Sequence, residues 1–177
     1  MNDELHRLLA AAPALEFATG IKVVVIGGIA RGNWAQPRNT DDVDVLVDTD
    51  QLQPFIDAAA QVGLVTVPSE IMALALAEMT RLRLPEHPSG PVHLDVIAAC
   101  HPFYRRVIER STQVTMGALT FRVASAEDII LLKLLADRPQ DRVDVAAIVD
   151  AQRGALDLVV MRAEAAELGL ELPTSLG

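Results

Sequence analysis

The stretch Asp42-Val43-Asp44-Val45-Leu46-Val47 constrains this chain more than any other. Successive side chains on a strand leave opposite faces, so Asp42 and Asp44 share one face while Val43, Val45 and Val47 share the other. The valines require a core, which places the strand inside a sheet. Two carboxylates are then held close together on a rigid element, which costs free energy unless a cation binds between them. A second apolar strand, Val92 to Ala98, carries Asp95 on the face it shares with His93 and Ile97. If the two strands are neighbours, three carboxylates converge. Hard divalent ions such as Mg²⁺ or Mn²⁺ take such oxygen ligands and keep water for a phosphate substrate. This is the geometry of two-metal phosphoryl or nucleotidyl transfer. The bland alternative, acids at exposed turns, is the reading adopted for Asp41 and Asp48; Asp95 taken alone fits either.

Gly27 and Gly28 follow a short β-branched run, Lys22 to Ile26, and precede a helix-like stretch, Ile29 to Trp34. Strand, tight turn and helix start together present bare backbone N–H groups to a phosphate, with no β-carbon in the way. Gly-Gly alone is a weak signal, because many turns contain it. Its position ahead of Asp42-Val-Asp44-Val makes it a strong one.

The pattern of glycine pair, spacer, Asp42-Val-Asp44-Val and a later strand aspartate resembles the polymerase-β-like nucleotidyltransferase superfamily. The run Arg38-Asn-Thr40-Asp-Asp42-Val-Asp44-Val-Leu-Val looks like minimal nucleotidyltransferases and AbiEii/AbiGii-type toxin proteins. The segment from Ser125 through Lys133, Arg138 and Asp141 to Asp144 is similar to the same group's C-terminal helices. The similarity spans about residues 20 to 150, and Gly28 stands where many members have serine. The resemblance implies an α/β (α+β) fold, a mixed nucleotidyltransferase sheet flanked by helices with a helical C-terminal portion. It implies metal-binding and catalytic roles for Asp42, Asp44 and Asp95. Nucleotide contacts are implied at Gly27, Gly28, Arg38, Thr40, Lys133 and Arg138. Lys133 would reach the triphosphate as a point charge, against the plainer reading of a solvent-facing lysine. Arg38 would hold a phosphate or pair with nearby acids. Asp141 and Asp144, three apart on one helix face, would orient Arg138 or Lys133, or simply favour a helix start.

Periodicity places the remaining elements. Helices are expected at 3–18, 51–62, 69–78, 101–110, 126–136, 139–152 and 157–168. Strands are expected at 22–26, 43–47, 64–67 and 92–98, with a hairpin at 113–123. Ser125-Ala-Glu-Asp128 has the form of a capping box. The division expected is a nucleotidyltransferase core over 1–124 and a helical region over 125–177 packed on it.

Composition narrows the functions. With hydrophobic residues at 51% and charged residues at 22%, the 177-residue chain is globular and long enough to bury a core. Aromatics at 3% make that core aliphatic. No apolar run approaches ~18 residues, so no membrane span is expected, and residues 1–17 read as a helix rather than an export signal. Cys100 is the only cysteine, which precludes an internal disulfide and fits a reduced cytoplasm. The histidines show no zinc-ligand spacing with one another or with Cys100, and Trp34 is expected to pack rather than stack on a base. The net charge of −9 disfavours backbone gripping of long nucleic acid. It suits a cationic substrate or a basic partner.

The expected activity is Mg²⁺- or Mn²⁺-dependent transfer of a nucleoside monophosphate from an NTP to an acceptor hydroxyl. Acceptors weighed are a tRNA or other RNA end, a protein, or a cationic antibiotic of aminoglycoside type. The toxin resemblance implies an antitoxin partner for the first of these. A non-catalytic nucleotide-binding or antitoxin-like module is the reading from another class.

Overall fold

The computed structural model describes residues 3–49, 51–73 and 77–176. Among these, seven strands form one mixed sheet: β1 (Val23–Ile26), β2 (Asp42–Val47), β3 (Val65–Ala73), β4 (Glu78–Arg83), β5 (His93–Ala98), β6 (Thr112–Met116) and β7 (Leu119–Val123). Their order is β3-β4-β5-β2-β1-β7-β6. The centre of the sheet is where the chemistry-bearing residues meet. There β2 runs antiparallel to β1 and parallel to β5, with Asp44 opposite Ile26 on one side and Asp95 on the other. Asp42 is opposite His93.

The helices among the described residues are α1 (Asp3–Thr19), α2 (Gly27–Trp34), α3 (Gln53–Ala59), α4 (Pro102–Arg110), α5 (Ala126–Ala136), α6 (Pro139–Ala151) and α7 (Leu158–Leu168). Each follows from local chemistry. The apolar stripe Leu5, Leu8, Leu9, Ala12 and Leu15 seats α1 across β1, β2, β5 and β7. In α5, Ser125 Oγ accepts the N–H of Asp128, closing the expected cap. Pro139 opens α6. Gly169, at φ 66°, ends α7. The core is aliphatic: Val24, Val25, Val43, Val45, Leu46, Val47, Leu94 and Val96 are fully buried in the central strands. Among the described residues no helix is long and apolar enough to cross a membrane.

One expected element is overturned. Residues 69–78, read as helical, instead continue β3 to Ala73, and β4 begins at Glu78; 74–76 lie outside the described residues. Glutamate, methionine, alanine and leucine favour a helix locally. Antiparallel pairing of β3 with β4, and of β4 with β5, outweighs that weak preference. The same error hid β4 altogether.

Candidate active site

The acid pair is fixed by its strand. Val43 and Val45 are fully buried, so Asp42 and Asp44 are turned to the opposite face with no freedom to slip register. Beside them, β1 ends at Ile26 and Gly27 opens α2, with Gly27 at φ +60°. A Cβ on Gly27 would lie 1.8 Å from Asp44 Oδ2, and one on Gly28 would lie 2.6 Å from Thr40 Oγ1. The glycine pair is therefore required by backbone sign at Gly27 and by close approach at both positions. The first turn of α2 carries no side-chain cap, so no N-cap side chain accepts from its N–H groups. Thr40 Oγ1 donates to Asp42 Oδ1 at 2.6 Å. Among the described residues no hydrogen bond or ion pair reaches the Asp44 carboxylate. Burial, then the charges of Asp42 and Asp95, push its carboxyl up to about 7.

Cations close the other side. A cleft of about 310 Å³ is bounded by the glycine pair, residues 38–42 and Asp44 on one wall, and by His93, Lys133 and Arg138 on the others. Every expected site residue except Asp95 lines it. The cations are held by two carboxylates of α6. Asp144, fully buried, accepts from Arg38 Nε and Nη2 at 3.0 Å each and from Lys133 Nζ at 2.7 Å. Arg31 Nε stands 3.2 Å from the same carboxylate. Asp141 accepts from Lys133 Nζ at 3.0 Å and from Arg138 Nε at 2.6 Å. Burial opposes ionisation of both acids, but the hydrogen bonds from Arg38 and Lys133 on Asp144, and from Arg138 and Lys133 on Asp141, outweigh it and hold both below the usual carboxylate range. Asp141 and Asp144 thus orient Arg138 and Lys133, and Arg38 is paired rather than loose. Lys133 is buried, not solvent-facing.

Asp95 adjoins Asp44 across β2 and β5, but its surroundings differ. Arg81, directly opposite it on β4, donates from Nε to Oδ1 at 2.7 Å and from Nη2 to Oδ2 at 2.9 Å. His93 Nε2 stands 3.6 Å from Oδ2. Burial of Asp95 is outweighed by these hydrogen bonds and charges, and its carboxyl lies below the ordinary range. The His93 ring is correspondingly raised, first by its hydrogen bond with Asp95. Among the described residues no group of three or more His, Cys, Asp or Glu side chains is disposed to hold a metal ion.

Sequence reasoning missed Arg81 and Arg31. The alternation Met79, Arg81, Arg83 in Glu78–Arg83 was the available signal for the first. For the second it was the four-residue spacing from Gly27, which returns to the same helix face. Trp34 packs: its Nε1 donates to the Ala124 carbonyl at 2.8 Å.

A family model described as "Nucleotidyltransferase of unknown function (DUF6036)" matches residues 3–171. No curated protein matches by sequence. Among solved structures, ANT(2")-Ia in complex with adenylyl-2"-tobramycin is similar at TM-score 0.60 and 16% identity, over 93% of this chain and 96% of that one. The lincosamide antibiotic adenylyltransferase LnuA, lincomycin-bound, is similar at TM-score 0.56 and 13% identity, over 83% and 98%. An antigenic nucleotidyltransferase-like protein from Paracoccidioides brasiliensis follows at TM-score 0.55 and 18% identity, over 99% and 93%. At these identities the likeness is one of fold.

Proposed function

The chain belongs to that nucleotidyltransferase family, and from this premise we propose that it moves a nucleoside monophosphate from an NTP to an acceptor hydroxyl in the cleft over Asp42 and Asp44. The acceptor hydroxyl gives up its proton to solvent as its oxygen bonds to the α-phosphorus, the bond from that phosphorus to the oxygen bridging to the β-phosphate breaks, and pyrophosphate leaves with that oxygen. The observation that carries the reading is the Asp44 carboxyl, raised by burial and by Asp42 and Asp95, with no hydrogen-bond donor on it among the described residues and a β-carbon-free glycine against it.

Asp42 and Asp44 fit a hard divalent ion, because among the described residues no cation is in contact with either carboxylate. Bound there, Mg²⁺ or Mn²⁺ supplies charge neutralisation at the triphosphate and polarises the α-phosphoryl group. The amides at Gly27 and Gly28, on the uncapped first turn of α2 that lines the cleft, would hold the phosphates. Arg138, with a side chain 71% exposed, is the cation best placed to meet them. Lys133 and Arg38, held by Asp144, add fixed positive potential. The helices beyond residue 125 supply Lys133 and Arg138, the loop before β2 supplies Arg38, and those helices would cover the nucleotide. Gly27→Ala is expected to lower NTP turnover by about 10²-fold, because Asp44 must turn away from the added methyl; steady-state rates at saturating Mg²⁺ check it.

For the acceptor, the net charge of −9 favours a small cationic molecule carrying a hydroxyl. The ligands of the two antibiotic-modifying neighbours, lincomycin and adenylyl-2"-tobramycin, are small molecules, which accords with it. A second reading is an RNA or tRNA end, or a protein hydroxyl, modified by a cytoplasmic toxin with an antitoxin partner. The match of Lys133, Arg138, Asp141 and Asp144 to the toxin-type helices favours it. Labelled NTP offered with an aminoglycoside and lincosamide panel, with tRNA, and with cell lysate separates these. The first reading expects label on a small molecule; label confined to tRNA or protein overturns it in favour of the second.

A further inference from the structure

We infer that the Arg81 guanidinium takes the place of a second metal ion beside Asp95, so that the centre is built for a single divalent cation held by Asp42 and Asp44. The inference rests on the nucleotidyltransferase reading and deepens it. Three strands set Arg81, Asp95 and Asp44 in one row, each directly opposite the next. Strand register, not a flexible loop, fixes their spacing.

Within that row the charges are already divided. Both oxygens of Asp95 are engaged by the planar fork of Arg81, and His93 stands against Oδ2 from the cleft side. Such bidentate pairing is strong and geometrically specific. Asp95 is only 6% exposed. Asp42 has the Thr40 hydroxyl and Asp44 has no partner among the described residues.

A second divalent ion on Asp95 would meet one of two obstacles. Sharing the carboxylate with Arg81 would place like charges on the same oxygens. Displacing the guanidinium would break a largely buried pair, leaving a cation without its counter-ion. Neither obstacle faces an ion on Asp42 and Asp44. Asp95 is therefore a positioning residue that anchors Arg81, and Arg81 supplies the fixed positive charge on that side of the row.

The test is a Mn²⁺ count per chain by electron paramagnetic resonance, on the full-length protein saturated with a non-hydrolysable NTP analogue. The wild type is expected to bind one Mn²⁺. Asp95→Asn is expected to keep that one, and Asp44→Asn to lose it. Arg81→Met exposes the Asp95 carboxylate and is expected to bind two. A count of two in the wild type, loss of Mn²⁺ in Asp95→Asn, or a count of one in folded Arg81→Met overturns the inference while the nucleotidyltransferase reading stands. A count of zero in the wild type overturns both. Asp95→Asn preserves the shape of the side chain, so the test does not hinge on whether Arg81→Met folds.

Discussion

Asp144→Ala loses about 3–5 kcal/mol of folding stability, the cost of stripping a buried ion pair of one partner. For a chain of this length that is a fall of roughly 6–20 °C in melting temperature. Asp144 is fully buried, and its carboxylate ties Arg38 of the loop before β2, Arg31 of α2 and Lys133 of α5 to α6. Alanine leaves Lys133 with Asp141 as its counter-ion and leaves Arg31 and Arg38 facing a cavity. Because the carboxyl of Asp144 is depressed in the folded protein, its stabilisation is present above the ordinary carboxylate value and disappears as pH falls through the folded one. The gap between wild type and variant therefore narrows in acid. Thermal melts at pH 7 and in strong acid check both statements; a loss under ~1 kcal/mol at pH 7 would mean an ordinary surface pair.

Asp44→Asn has the opposite sign. The folded carboxyl, at about 7, lies above its ordinary value of 3.8. The folded state thus holds a proton that the unfolded chain has released, and stability falls as pH rises between those values. A shift of that size is worth up to about 4 kcal/mol. With one edge open to the cleft, about 2–3 kcal/mol is expected. Metal-free Asp44→Asn should accordingly melt higher than wild type at pH 8, with the difference vanishing near pH 4. Mg²⁺ with an NTP analogue should raise the wild type and leave the variant unmoved. An unchanged melting curve at pH 8 would mean that the acid pair carries no strain for a cation to relieve. This is the expected pattern of a site that gives up stability for function.

Much of the centre was legible because its signals are local. Alternation in Asp42–Val47 fixes which face each aspartate takes, and the β-branched run before Gly27 marks the strand that Asp44 flanks. Caps and breakers at Ser125, Pro139 and Gly169 mark the C-terminal helices. What was hidden depends on long-range pairing. Residues 69–73 have helical composition, and only partners in β4 make them a strand. With β4 unseen, Arg81 had no known neighbour, and Asp95 read as an unpaired third acid. Lys133 likewise reads as a lone cation in an apolar helix until α6 folds back to bring Asp141 and Asp144 against it.

A divalent cation shared with a nucleotide makes Asp42 and Asp44 tolerable on a hydrophobic sheet in the proposed function. Pyrophosphate release from NTP, measured with Mg²⁺ and the acceptor that takes the label, tests it most directly when wild type and Asp44→Asn are compared. Mg²⁺-dependent release by the wild type and a loss of about 10³-fold or more in the variant are expected. Release by Asp44→Asn at the wild-type rate would contradict it.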